Sequence, residues 1–191
     1  MIVSITGHRP KSLGLGYRQD ARVTRVKQDI REHLQRYNAT QVITGMALGM
    51  DQWAAEVAID AGIPFIVAVP FRGQASSWPA PSQQHWNVLL SRAAQIFCVN
   101  VSTTKPLTVD EFYAVKCEDV PFQVVRSWLL ARNTWMVKRA DQVLALWNGG
   151  PGSTRHAVIQ AEERGVPVLN IFREEYCSKV VPNGTRQFGS R

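Results

Sequence analysis

Val42-Ile43-Thr44-Gly45-Met46-Ala47-Leu48-Gly49-Met50-Asp51-Gln52-Trp53-Ala54-Ala55-Glu56 is the stretch that decides the fold. Val42-Ile43 is a short apolar run with the character of a buried strand, broken at Thr44-Gly45, and an Ala-rich helical pattern begins near Asp51. The order is strand, glycine loop, helix N-terminus. The first amide N–H groups of a helix have no internal partner and its dipole is positive there. Gly45 and Gly49 allow a tight turn and a close approach by a ligand, so the loop around Met46 can hold an anion, typically a phosphate, on main-chain donors. Asp51 can cap the helix or face outward to a ribose hydroxyl. The spacing Gly-x-x-x-Gly-x-Asp lacks the Gly-Lys-Ser/Thr of a P-loop and does not fit the dinucleotide pattern Gly-x-Gly-x-x-Gly. Taken alone, it serves a merely structural turn equally well.

The same alternation extends in both directions. Ile2-Val3-Ser4-Ile5 reads as a first strand that runs into Thr6-Gly7-His8-Arg9-Pro10. Arg9 can fork onto a phosphate, and His8 can donate a hydrogen bond or take part in acid–base chemistry. Leu13 to Tyr17 is a glycine-rich loop. Val23, Val26, Ile30, Leu34 and Tyr37 then mark the buried face of a helix over residues 20–37. Beyond the central stretch, a helix over 51–61 stops at Gly62 and Pro64, and Phe65 to Val69 is a continuous apolar strand ending at Pro70-Phe71. A helix over 83–93 and a strand over 95–99 follow. Residues 100–121 read as an irregular insertion with a short helix near 109–113. Residues 122–140 are helical, with a Trp–Met stripe that suits core burial or a subunit contact. Arg132-Asn133 stands out within it, because a helix interior gains little from Asn.

The strand Gln142 to Trp147 leads into Asn148-Gly149-Gly150-Pro151-Gly152-Ser153-Thr154, a second phosphate-cradle candidate ahead of a helix starting near His156. The last strand is 168–172, and 173–191 form a polar tail expected to fray. Strands alternating with helices predict an α/β, Rossmann-like, mostly parallel sheet with helices on both faces, as a single domain over 1–172. In such sheets the loops after the strands gather on one edge, where ligands bind. Gly7 to Arg9, Gly45 to Asp51, Pro70-Phe71, Asn100 and Asn148 to Thr154 all follow strands, so a nucleotide-type ligand is expected at that edge.

Composition sets the frame. The chain has 191 residues, 45% hydrophobic and 19% charged, with a formal charge of +7. That length suits one domain with a substantial core. No apolar run is long enough to span a membrane, and the start Met1-Ile2-Val3-Ser4-Ile5 has no signal-peptide pattern. The three cysteines, Cys98, Cys117 and Cys177, form no metal motif or disulfide framework. The expectation is a cytoplasmic protein that requires no metal or cofactor. The positive charge favours phosphate-bearing ligands and permits nucleic acid. No interleaved aromatic and basic stripe accompanies it, so nucleic acid is the less favoured partner.

Four motifs in order, Thr6 to Pro10, Thr44 to Asp51, Arg132 to Val137 and Leu146 to Thr154, resemble the SLOG superfamily, nearest its YspA/YpsA-type branch. The superfamily takes its name from the SMF/DprA DNA-processing proteins and the lonely-guy phosphoribohydrolases. The resemblance covers residues 1–172 apart from 100–121. It implies a Rossmann-like fold that binds nucleotides or their derivatives, ADP-ribose and related signals included, often as a homo-oligomer. Lonely-guy enzymes cleave the N-glycosidic bond with an Arg and the Glu of Gly-Gly-x-Gly-Thr-x-x-Glu. Here the Thr position is Ser153 and the Glu position is His156, so that carboxylate is missing; Asp51 or Glu56 are candidates to replace it, although a lone acidic residue more often serves as a cap or an ion-pair partner.

The first expectation is therefore a sensor or sequestering protein for an ADP-ribose- or NAD-like ligand. Phosphates would lie on the two glycine loops, with Arg9 and Arg132 neutralising charge. Asp51 or Asn148 would meet the ribose, and Phe71 or Trp147 would flank the base. The alternatives are a nucleoside-phosphate N-glycosidase or deoxyribosyltransferase, and single-stranded DNA binding.

Overall fold

A computed structural model describes residues 1–14, 20–117 and 120–177. Its six strands are β1 (Ile2–Gly7), β2 (Gln41–Thr44), β3 (Phe65–Val69), β4 (Gln95–Cys98), β5 (Gln142–Leu146) and β6 (Val168–Asn170). They form one sheet in the order β4-β3-β2-β1-β5-β6, and every pairing is parallel. The strands are short apolar runs because both faces of the sheet are covered. The alternation of side chains is clean. Val42, Phe65, Val67, Val69 and Ile96 join one core cluster, while Ile43, Ile66, Ala68 and Phe97 join another.

The helices are α1 (Ala21–Arg36), α2 (Met50–Asp60), α3 (Ala80–Leu90), α4 (Val109–Ala114), α5 (Phe122–Val137) and α6 (Ser153–Glu162). The first core cluster packs under α1, α2, α3 and α4 through Val26, Ala54, Trp86 and Phe112. The second packs under α5 through Trp135 and Met136, and a third joins α5 to α6 at Val137 and Ala161. From β1 to β4 the chain moves outward in one direction. It then crosses back to place β5 on the other side of β1. The reversal makes the gap between β1 and β5 the topological switch point of the sheet.

Several boundaries differ from the sequence reading. The third helix starts at Ala80 instead of residue 83, with Pro79 as N-cap and Pro81 in the first turn, where a missing N–H costs nothing. The segment 100–121 is less irregular than expected. Leu107 bridges to Ile96 of β4, and α4 carries a capping box in which the Thr108 hydroxyl accepts from Glu111 N–H while the Glu111 carboxylate accepts from Thr108 N–H. Pro10–Leu13 forms a 3-10 helix capped by Gly14 at φ 63°, and residues 15–17 of the expected Leu13 to Tyr17 loop lie outside the described residues. The first residues of the tail expected to fray, 173–177, are tied to α1. Tyr176, 1% exposed, donates its hydroxyl to Asp29 of α1, and Arg173 donates to the same carboxylate at 3.2 Å. Residues 178–191 lie outside the described structure. No described helix is long and apolar enough to cross a membrane.

Cysteine burial gives a direct check. Cys98 is buried at the end of β4 while Cys117 and Cys177 are exposed, and burial pushes the Cys98 thiol up to about 11. Alkylation with iodoacetamide in the native state should modify Cys117 and Cys177 and spare Cys98, since the thiolate is the nucleophile. Peptide mass spectrometry reads the result, and modification of Cys98 at the rate of the other two would contradict the packing of β4.

Candidate functional site

The carboxyl edge is built from three loops pressed together. Gly7 closes β1 with no room for a side chain, since a Cβ there would lie 2.5 Å from the Met50 Cβ. In the loop between β2 and α2, Met46 is buried and takes a positive φ of 55°. It is held in place when its N–H donates to the Thr44 hydroxyl at 3.2 Å. A Cβ on Gly49 would meet His8 O at 2.8 Å, so this loop packs directly on the one after β1. The space that sequence reading assigned to a ligand at Gly49 is thus filled by His8, Arg9 and Pro10.

Gly45 is filled in the same way by a side chain from a distant helix. A Cβ at Gly45 would lie 1.4 Å from Arg132 Nη1 and 2.9 Å from Asp51 Oδ2. Arg132, on the buried face of α5, lies 3.7 Å from Asp51 Oδ2, and both residues are at most 6% exposed. Asp51 also accepts from Ala47 N–H at 3.2 Å, so it ties down its own loop and faces inward. Burial raises the Asp51 carboxyl above its ordinary range, with Arg132, the Ala47 N–H and Arg9 pulling the other way. Burial likewise lowers Arg132, opposed by Asp51 and reinforced by Arg9. Desolvation outweighs the attraction for both partners, as expected of a buried pair at this separation. Arg132 Nε and Nη1 are buried without a hydrogen-bond partner among the described residues.

A pH dependence follows. A carboxyl whose pKa is raised by folding keeps a proton that the unfolded chain releases, so its share of stability is present below the ordinary Asp pKa. That share is lost as pH rises through the folded value. The nearly isosteric Asp51→Asn should flatten this decline as pH rises above the ordinary Asp value of about 4. Urea unfolding of both proteins across that range is the measurement, and parallel curves would count against the raised carboxyl.

The second loop is open. Asn148, Gly149 and Gly152 are exposed, and nothing lies within 4 Å of a Cβ placed at Gly149 or Gly152. Gly152 is the N-cap of α6 at φ 136°, with no side-chain cap. The first turn of α6, from the exposed Ser153 to the buried Thr154, therefore begins without a side-chain cap. The loop is braced from both sides. Asn148 Oδ1 accepts from Gly150 N–H at 3.0 Å and lies 2.6 Å from His8 Nε2, which links the loops across the switch point. Asn133 Nδ2 donates to Ser153 O at 2.9 Å, which explains an Asn inside α5. Arg132 and Asn133, adjacent in sequence, thus touch the two glycine loops, one each.

Other residues singled out from sequence fall elsewhere. Glu56 is ion-paired with Lys27 and lies 2.5 Å from His85, between α1, α2 and α3. Trp147 donates its indole N–H to Gly150 O at 2.7 Å, which holds the ring against its own loop. Pro70 is buried, and Phe71 packs on Trp128 with ring centroids 5.8 Å apart, in a different cavity from the α6 loop. Sequence reading missed the lining beside α6. A cavity of about 560 Å³ lies there between α5 and α6, lined by Arg126, Leu129, Leu130, Gly152, Ser153 and His156 among others. The signal for it was Leu129-Leu130, adjacent apolar residues of α5 left only half-buried. No group of His, Cys, Asp and Glu among the described residues can hold a metal ion.

A family model described as the YspA SLOG family matches residues 3–165. A UPF0398 protein of Bacillus velezensis is 22% identical over 192 residues, covering 94% of this chain and 95% of the relative. One from Bacillus thuringiensis is 22% identical over 173 residues, covering 86% and 84%. Among solved structures, DprA of Streptococcus pneumoniae superposes with a TM-score of 0.58 at 14% identity, over 87% of this chain and 48% of that one. DprA of Helicobacter pylori, solved for its single-stranded DNA binding mode, gives 0.56 at 18% identity over 88% and 63%. The chain spans about half of the pneumococcal protein, and the likeness to both is one of fold.

Proposed function

Because the chain belongs to the YspA SLOG family, we propose that it binds a nucleotide-derived small molecule of the ADP-ribose or NAD kind at the carboxyl edge of the sheet, as a sensor or sequestering protein. The observation that carries the reading is the open, uncapped α6 N-terminus at Gly152, in a loop braced by Asn133, the neighbour along α5 of the buried Arg132. A phosphate is an anion whose geometry suits such a terminus. Arg9, at the mouth of β1, adds a second positive charge against the single carboxylate of Asp51. The apolar wall of Leu129 and Leu130 in the cavity beside α6 receives the non-phosphate part of the ligand.

Calorimetric titration with ADP-ribose, NAD and AMP tests this, and absence of binding to all three at millimolar concentration would remove it. A second reading, single-stranded DNA, draws on the formal charge of +7 and on the DNA binding of the Helicobacter protein. Gel shifts across a salt series separate the two, because contacts to a phosphate backbone weaken steeply with salt.

A further inference from the structure

On the other side of α5 from the α6 loop lies a second cavity of about 460 Å³, lined by Phe71, Arg72, Asn100, Lys116, Cys117 and Trp128 among others. We propose that it is a binding site in its own right, for a planar aromatic group bearing an anionic tail, of the class of a nucleoside monophosphate. The proposal goes beyond the α6-loop reading and does not rest on it.

Size comes first: the cavity falls in the range of small-molecule sites, roughly 300–1,000 Å³. Its chemistry is mixed in a specific way. Phe71 and Trp128 are both half-buried and tilted 42° to each other, an apolar wall against which a flat ring can stack. Opposite in character are Arg72 and Lys116, and no carboxylate stands among the described lining residues. Neither cation makes an ion pair among the described residues. Arg72 is oriented by rings, with its guanidinium 4.5 Å from the Tyr113 centroid and 5.2 Å from that of Phe112. A cation aimed by aromatic faces keeps its donors for an incoming anion.

The distribution of unpaired polar atoms adds an independent pointer. Buried side-chain polar atoms are nearly always hydrogen-bonded. Among the described residues, Arg72 Nε and Gln74 Oε1 are exceptions, and they flank Gly73, itself part of the cavity wall. Gln74 Nε2 is used, donating to Gly45 O at 3.0 Å, which fixes its oxygen end. One turn along α5 from Trp128 lie the two unpaired Arg132 nitrogens. Trp86 Nε1 and His156 Nδ1 are unpaired elsewhere, while Gln74 and Arg132 both meet Gly45.

Cys117 lines the cavity and is exposed, so it reports occupancy. The full chain is pulsed with iodoacetamide with and without AMP, and the rate at Cys117 is read by peptide mass spectrometry with Cys177 as internal reference. AMP at about ten times its Kd should slow Cys117 roughly tenfold and leave Cys177 unchanged, with adenosine or inorganic phosphate alone slowing it less. Trp128→Leu and Arg72→Met should each abolish the protection, while Gly152→Val, which alters the α6 loop, should preserve it. An unchanged Cys117 rate at millimolar AMP, protection that persists in Trp128→Leu, or protection lost in Gly152→Val would overturn the proposal. Failure of the α6-loop reading shows differently, as AMP protection of Cys117 in the unaltered protein together with no heat of binding from ADP-ribose or NAD in the Arg72→Met protein.

Discussion

Gly45→Ala should lower the unfolding free energy by about 3 kcal/mol, a Tm fall of roughly 6–12 °C for a chain of this size. The cause is a single contact. The new methyl would sit 1.4 Å from Arg132 Nη1 and 2.4 Å from its Cζ, so the guanidinium and the methyl cannot coexist. On an exposed arginine the side chain would swing aside at little cost. Here Arg132 is 5% exposed, carries a charge it cannot shed, and has no described hydrogen-bond acceptor for its Nε or Nη1. It must be forced against packed neighbours, or the β2–α2 loop must open. The test is a double-mutant cycle. In an Arg132→Ala background the obstacle is gone, and Gly45→Ala should cost less than about 1 kcal/mol. Equal costs in the two backgrounds would show that Arg132 is not what glycine makes room for.

Gly152→Val should weaken ADP-ribose binding roughly 100-fold, which corresponds to about 2.7 kcal/mol. Its cost to folding should stay within about 1–3 kcal/mol, the strain of a non-glycine residue at such a backbone angle. A φ of 136° with nothing within 4 Å of the Cβ position means that the new side chain stands in open approach space, with no neighbour to displace. The branched methyls then cover the N–H groups of the first turn of α6. Losing one or two charge-assisted hydrogen bonds to a phosphate, each about 1.5–3 kcal/mol, accounts for the figure. Calorimetry gives the affinity and thermal unfolding the stability. A variant that binds as the parent does would move the phosphate away from this loop.

The parallel α/β sheet was legible because most strands are short apolar runs bounded by glycine, proline or a charge, with little to compete with that reading. The loops after β1, β2 and β5 were legible as a group for the same topological reason. What was not legible is which glycines face outward. Gly45 and Gly152 look alike in sequence, each following a strand and preceding a helix. The difference lies with Arg132, nearly ninety residues further along the chain than Gly45, and no local pattern announces which glycine a distant arginine will occupy. The inward turn of Asp51 has the same origin. The α3 boundary was misplaced because Pro79 and Pro81 read as breakers, whereas a helix tolerates proline in its first turn. The half-buried Phe71–Trp128 wall escaped because two aromatics from separate elements gave no shared signal.

The position of β1 bears on how this chain must be synthesised. β1 lies in the middle of the sheet, paired on one side with β2 and on the other with β5, in a register running from Val3↔Gln142 to Gly7↔Leu146. The first partner follows within about forty residues, but the second emerges from the ribosome some hundred residues after that. Throughout that interval the nascent chain can hold a half-sheet of β1 to β4 whose inner strand has an unpaired edge, with apolar side chains on both faces. Such an edge invites pairing with another chain. Chains halted or cleaved before β5 are therefore the species that quality control must clear, and fragments ending near residue 120 should be recovered from cells bound to chaperones or in aggregates.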